Sequence, residues 1–412
     1  MKFRRYAEAK DRKAVFRIFE EVGWLDEKRD KKRDRYVDAA IRASTCSVAV
    51  IRDEAECFVM TSPGSIRYRD EELRLCAVTA VTTSRIARKM SSATRLTAMA
   101  LAEAAKAGDC VAGLGVFDQG FYNKLGFGNG PYQQWMAFDP SSLEVQSFKR
   151  APRRLGLKDA KKMHASRLSR MKGHGSVCIL PFEQTQDEIA FTKTGFGLGF
   201  FDERSGELTH HLWIKVKGNH GPYTVDFMSY RSYDQLLELL SLLKSFGDQV
   251  YVVEMREPPE IQLQDLLSRP FRYKETTRRT KYENYISAES YYQVRMLNLQ
   301  ECVEKTRLLF DGPRFNLSLK DPITEFLPEG TQWKGLSGQY AISFGKKSSV
   351  ASGREKGLLE LRASVGAFTR MWLGVRSATA LSVTDELEAP GDLLRELDDL
   401  LRLPVPIPDW DF

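Results

Sequence analysis

The segment VFDQGFYNKLGFG, residues 116–128, sets one phenol, Tyr122, among three phenylalanines and three glycines. An unperturbed tyrosine hydroxyl titrates near ~10, so a positioned one can give its proton to a departing group of similar basicity. Glycines at this density mark tight turns or the close approach of another body to the backbone. The same tyrosine could equally fill a core. A second stretch with chemical potential is VTTSRIARKMSSATRL, residues 81–96, where Arg85, Arg88 and Lys89 crowd the start of an alanine-rich run. Backbone N–H groups at a helix start are unpaired and the helix dipole there favours negative charge. A strand–turn–helix with cations at the junction therefore suits a diphosphate. Without an anion, those cations would oppose the dipole. No glycine lies between Val81 and Leu101, and neither a Walker A motif nor a dinucleotide fingerprint is present, which argues against ATP and NAD.

Positioning these residues takes regular elements on both sides. Apolar Val15, Ile18, Phe19 and Val22 give residues 11–24 a helical face. Residues 46–60 read as strand with a charged turn in the middle. Residues 75–82 read as a strand, 93–107 as a helix and 110–117 as a strand, with Ser91 and Ser92 as N-cap candidates and Gly108 as the stop. The order strand–helix–strand returns at 223–257, but its turn, SYRSY, carries no comparable cationic cluster. It reads as a duplicated fold whose second copy lost its ligand loop. A third pattern starts near residue 290 and ends in LPVPIPDWDF, where Pro404, Pro406 and Pro408 enforce an extended chain.

The 412 residues exceed one ordinary core, so two or three domains are expected, and the 42% hydrophobic content is enough to fill them. The net charge of +7 is mixed along the chain, which suits an anionic small molecule better than a nucleic acid. The basic stretch at 148–172 lacks interleaved aromatics and reads as a solvated linker helix. DEKRDKKRDRY, residues 26–36, reads as an exposed helix. The six cysteines form no CxxC pair and the five histidines no ligand spacing. A reducing, cytoplasmic setting with no disulfide framework and no metal is expected. MKFRRYAEAKDRK has no apolar core of a signal peptide, and no run of about 18 apolar residues could span a membrane.

VTAVTTSRIARKM, residues 78–90, followed by a helix, resembles motif A of the GCN5-related N-acetyltransferases (GNAT), the loop that holds the diphosphate of acetyl-CoA. GFYNKLGFG resembles the small–Tyr–x–x–aromatic–Gly segment of the enhanced intracellular survival (Eis) family of these enzymes, and the aromatic end after DW is a second match. The resemblance implies an α/β (α+β) chain of tandem GNAT-like domains followed by a sterol-carrier-protein-like domain. Residues 1–148 would be the acetyltransferase domain and 149–288 a second GNAT-like domain without cofactor. Residues 289–412 would form the last domain, ending in the catalytic terminus. The implied activity is acetyl transfer from acetyl-CoA to a primary amine of a small molecule or peptide, such as an aminoglycoside-like compound, a polyamine or a lysine side chain. Contacts to acetyl-CoA would fall on Thr79, Ala80 and Val81, on Ala87, Arg88, Lys89, Met90, Ser91 and Ser92, and on Phe117 and Asp118. Lys89 stands where the family usually has glycine, and Phe117–Asp118 where it has Ser–Glu. Tyr122 would be the acid, the terminal carboxylate of Phe412 the base, the Val81 N–H an oxyanion donor and Asp411 a contact for a cationic amine. A homo-oligomer, hexameric in the family, is implied, with no nucleic acid and no membrane span. The competing reading is a non-catalytic scaffold with an apolar-ligand C-terminal domain.

Overall fold

The computed structural model describes the chain except residues 27, 29, 119 and 270–279. It begins with β1 (Lys2–Arg5), α1 (Glu8–Glu21), α2 (Asp34–Arg42), β2 (Thr45–Ile51), β3 (Glu54–Tyr68), β4 (Glu71–Thr83), α3 (Ser92–Lys106) and β5 (Val111–Gly115). The loop carrying Tyr122 leads to β6 (Gly128–Asn129) and β7 (Gln133–Phe138). Next come β8 (Arg153–Leu155), α4 (Ala160–Leu168), β9 (Val177–Ile179), α5 (Phe182–Phe191), β10 (Gly195–Phe201), β11 (Leu208–Val216), β12 (Tyr223–Ser229), α6 (Tyr233–Lys244), β13 (Val253–Arg256) and β14 (Tyr285–Glu289). The remainder is β15 (Tyr292–Met296), α7 (Leu299–Glu304), β16 (Arg314–Lys320), β17 (Gly338–Ser343), β18 (Ser349–Ser352), β19 (Glu360–Ser364), α8 (Val365–Trp372), α9 (Ala378–Thr384), β20 (Leu387–Glu388) and α10 (Gly391–Leu400).

Three sheets result among the described residues. The first runs β1-β2-β3-β4-β5-β15-β6, with β9 added to β3. The second runs β14-β7-β13-β12-β11-β10-β8, and the third β18-β17-β16-β19-β20. In the first, β4 and β5 are parallel and joined by α3. Alanines 98 and 104 with Leu101 let α3 lie close over Cys76, Val78, Ala112 and Leu114. In the second, β12, α6 and β13 repeat that plan, with Leu236, Leu239, Leu240 and Leu243 as the buried stripe of α6.

The expected cuts after residues 148 and 288 do not separate the sheets. β7, before the first cut, pairs with β13 and β14 of the second sheet. β15, after the second cut, lies between β5 and β6 of the first. Each exchanged strand supplies partners to backbone that would otherwise form an exposed sheet edge. The third unit is also continuous with the first through its core. Tyr68 stacks on Trp372 at 4.4 Å, and the Trp372 indole donates to Thr306 Oγ1 at 2.8 Å.

Two exposed-helix expectations are corrected. Residues 31–33 form a 3₁₀ turn and α2 starts only at Asp34, with Asp34 and Asp38 buried; residues 27 and 29 lie outside the described residues. The basic stretch at 148–172 is no solvated linker: it forms β8 and α4 and buries Arg167 and Arg170. Both arginines are paired, which is what makes such burial tolerable. No helix among the described residues is long and apolar enough to cross a membrane.

Candidate active site

The cationic turn joins β4 to α3. Residues 85–87 form a 3₁₀ turn, Arg88 is extended, and Lys89 and Ser91 adopt left-handed backbone with φ of 60° and 57°. Lys89 thus holds the conformation that glycine favours, at the position where a glycine was expected. Left-handed residues next to helical ones turn successive N–H groups toward one point, a concavity that suits an anion. Ser91 occupies the N-cap of α3 but makes no side-chain cap bond, contrary to the expected capping role. Ser92 Oγ instead donates back to Ala87 O at 3.4 Å. The first turn of α3 has no acidic residue either. Its N–H groups are left for a ligand, beside the exposed side chains of Arg85, Arg88, Lys89 and Met90.

Downstream of this turn the sheet opens. The parallel β4–β5 ladder runs from Leu75↔Val111 to Val78↔Leu114 and stops there, while β4 continues to Thr83 on the β3 side. At the stop β4 bulges: Met60 pairs with Thr79 and Phe58 with Thr82, so Ala80 and Val81 face Val59 alone. Ala80 takes the strain with φ of 45°. Bulges re-aim backbone groups next to sites, and here the bulge borders the gap between the strands. Thr79, Ala80 and Val81, all half-buried, are the residues that sequence reasoning placed at the ligand. Across the gap, Phe117 is 98% exposed and Asp118 is exposed beyond the end of β5.

Tyr122 lies on the α3 face of this region, 8% exposed, in a cluster with Val78, Ala112 and Leu114. Phe121 and Phe127 present their edges or faces to its ring at 4.8 and 6.0 Å. Burial, with a smaller contribution from the Cys57 thiol, pushes its phenol up to about 12. Cys57 pairs with Thr83 across β3–β4, which puts the tyrosine hydroxyl over the bulged end of β4. The glycines of the loop now have their reason. A Cβ on Gly126 (φ 77°) would come 2.5 Å from Val365 Cγ1, and one on Gly128 2.6 Å from Gly366 O, so the loop presses against α8 of the third unit. Arg295 on β15 donates to Leu125 O and, at 2.6 Å, to Asp321. This ion pair is fully buried. Breaking it by removing one partner would cost about 3–5 kcal/mol.

The C-terminal arm arrives on the opposite face. Gly113 of β5 points away from Ala112 and Leu114, and a Cβ there would meet the Phe412 ring at 3.4 Å. Phe412 also packs against Tyr292, centroids 6.0 Å apart. Its carboxylate forms no ion pair with any cation among the described residues. Asp411 does: its side chain pairs with Arg256, and the Tyr292 hydroxyl lies 2.8 Å from its Oδ1. The expected open contact for a cationic amine is therefore a neutralised carboxylate that fixes the arm.

Sequence reasoning missed the residues that hold this arm. Arg170 binds Asp409 through two nitrogens at 2.8 and 2.6 Å, and Arg167 lies 3.7 Å over the Trp410 ring. Gln133 Nε2 donates to Pro408 O at 3.0 Å. One signal was available: Ala160, Met163 and Arg167 recur at helical spacing, which places Arg167 on the buried stripe of α4, with Arg170 one step further on, just past the helix end. Among the described residues no group of three or more His, Cys, Asp or Glu is placed to hold a metal ion, and all six cysteines are free and buried.

Residues 4–130 match the family model of the acetyltransferase (GNAT) domain, and this domain makes the chain an acetyltransferase. No curated protein matches the chain. Solved structures do, over the whole length. A conserved protein of unknown function from Enterococcus faecalis V583, described as a probable N-acyltransferase, is 16% identical with a TM-score of 0.81, covering 100% of this chain and 99% of that one. A GCN5-related N-acetyltransferase from Anabaena variabilis is 14% identical, with a TM-score of 0.79 and full coverage of both chains. Eis1 from Mycobacterium abscessus is also 14% identical and fully covered both ways, with a TM-score of 0.77. At these identities the likeness is one of fold.

Proposed function

We propose that the chain is an acetyl-CoA-dependent N-acetyltransferase acting on a primary amine. The observation that carries this reading is the unpaired gap between β4 and β5, with a phenol on one face and Phe412 on the other. The turn at Ala87–Ser92 grips the diphosphate, and Phe117 and Asp118 border the carrier across the gap. The thioester lies along the bulge, where the Val81 N–H stabilises the developing oxyanion. The amine gives its proton to the Phe412 carboxylate as its nitrogen attacks the thioester carbon. The C–S bond then breaks and sulfur takes the proton of Tyr122.

A phenol near 12 is a weak donor toward a thiolate of ordinary basicity near ~8.5. Desolvation lifts both groups, however. Burial also raises a thiol, as it does the nearby Cys57, so a thiolate leaving in a desolvated gap is more basic than one in water. In domain terms, residues 1–148 are read as the acetyltransferase domain and 149–288 as a second GNAT-like domain. Residues 289–412 are read as a sterol-carrier-protein-like domain, with β7 and β15 exchanged between sheets. The resemblance of GFYNKLGFG to the Eis family is the ground for reading the acceptor as an aminoglycoside-like, polyamine or lysine amine.

The test is a panel of an aminoglycoside, a polyamine and a lysine peptide with acetyl-CoA, read by a thiol reagent. Amine-dependent thiol release at least ten times the background is expected. Tight acetyl-CoA binding without release for any of them would overturn the reading. Arg88→Glu replaces an attraction at the diphosphate with a repulsion, and a loss of acetyl-CoA affinity of about tenfold or more is expected by calorimetric titration. Unchanged affinity would place the diphosphate elsewhere.

A further inference from the structure

The second sheet retains the cleft of the first and fills it with the chain's own end. β12 carries an extra residue opposite β11, Asp226, between the pairs Trp213↔Phe227 and Ile214↔Val225. The parallel β12–β13 ladder stops after Thr224↔Glu254. Bulge and opening thus recur where the first sheet has its gap. The start of α6, by contrast, is closed: Ser232 Oγ accepts from Gln235 N, and Gln235 Oε1 accepts from Arg231 N at 2.7 Å. The cavity beside this opening is lined by Val225, Phe227 and Met255 on one side and by Ile407, Pro408 and Asp409 on the other.

We propose that the second unit serves as the holder of the C-terminal arm, with Arg170, Arg167 and Arg256 as positioning residues for the Phe412 carboxylate. The functional half of this proposal rests on the reading of that carboxylate as the base. Every residue from 407 to 411 is tied down. Ile407 N donates to His174 O at 2.9 Å, and Pro408 O accepts from Gln133 at 3.0 Å. Asp409 takes both Arg170 nitrogens and the Val177 N–H at 3.1 Å. Trp410, 1% exposed, lies under Arg167 and edge-on to His164, and its carbonyl is 2.7 Å from the Tyr292 hydroxyl. Asp411 pairs with Arg256.

These partners come from α4 and the turn after it, from β7, β9 and β13, and from β15, so the arm is fixed from several directions. The anchors stop one residue short of the end, where the Phe412 ring packs on Tyr292 and beside Gly113 and the carboxylate forms no ion pair among the described residues. Placement matters because a shift of about 1 Å in a reacting group can cost ~10²-fold in rate. Proline at 404, 406 and 408 lowers the entropy lost in docking the arm. On this account the basic stretch of residues 148–172 supplies two of the three guanidinium groups.

The experiment uses the 412-residue chain and carboxypeptidase A, which removes a C-terminal aromatic residue. Free phenylalanine is measured over time, and each rate is divided by that of the same chain unfolded in urea. Removing the buried Arg170 risks the fold, so the variants are Arg256→Ala, Arg256→Lys and, on the arm itself, Asp409→Asn. Arg256→Ala and Asp409→Asn are expected to release phenylalanine at least tenfold faster than the wild type. Arg256→Lys is expected to recover part of the protection. Acetyl-CoA affinity is expected to stay within twofold while kcat falls tenfold or more. Wild-type release rates from both Arg256→Ala and Asp409→Asn would overturn the anchoring. Faster release with an unchanged kcat would leave the anchoring in place and overturn the carboxylate as base.

Discussion

Replacing Tyr122 with phenylalanine is expected to lower kcat for acetyl transfer by about 10²–10⁴-fold, the usual contribution of a positioned proton donor. The fold should survive. The Tyr122 hydroxyl bonds to no other group among the described residues, so its loss orphans no buried partner, and the ring keeps its contacts with Phe121 and Phe127. Acetyl-CoA affinity should change by less than about threefold, because the diphosphate turn at Ala87–Ser92 does not include the Tyr122 side chain and the thioester loses only one hydroxyl neighbour. The pH profile adds a second check. Burial raises the phenol to about 12, so the donor stays protonated throughout the neutral and mildly alkaline range. Its ionisation lowers the rate only as pH climbs toward that value, and no alkaline fall assignable to Tyr122 is expected below pH ~10. A kcat within threefold of the wild type, with the thermal midpoint unchanged, would remove Tyr122 from the reaction.

How much of this was legible in the sequence follows from the range of the interactions. The strand–turn–helix around the cationic turn depends on neighbours in sequence, and apolar runs, small residues on α3 and the stop at Gly108 (φ 91°) all point the same way. Lys89 in a left-handed conformation was marked by the glycine expected there. Ser91 does take the N-cap position expected of it, with a left-handed backbone and without the side-chain cap bond that its type suggests. The glycines of the Tyr122 loop signalled a close approach. The approaching body, α8, begins 237 residues after Gly128, and nothing local identifies it. Nothing local marks β7 or β15 as an exchanged strand, since the sheet a strand joins is set by which edge lacks a partner. Arg167 and Arg170 were taken for solvated charge because their partners Asp409 and Trp410 lie some 240 residues downstream. Helical spacing was the local hint that their face points inward.

Extending the chain by a few residues after Phe412 is expected to reduce kcat by about 10²-fold or more while acetyl-CoA affinity stays within about threefold. An added peptide bond turns the terminal carboxylate into an amide, which cannot take a proton from an amine near neutral pH. The ring itself can remain where it is, against Gly113 and Tyr292, so the extension tests the carboxylate rather than the packing. Phe412→Leu is the complementary change: it keeps the carboxylate and loses part of the ring contact, and activity within about tenfold of the wild type is expected. An α-carboxyl with an ordinary value near ~3.5 is ionised at neutral pH and so is free to take the proton of the amine. Protonating that carboxylate at acid pH should lower the rate, and this acidic limb should vanish in the extended chain. Wild-type turnover by the extended protein would transfer the base to another group. The anchors at Asp409 and Asp411 would then serve only to close the cleft of the second sheet.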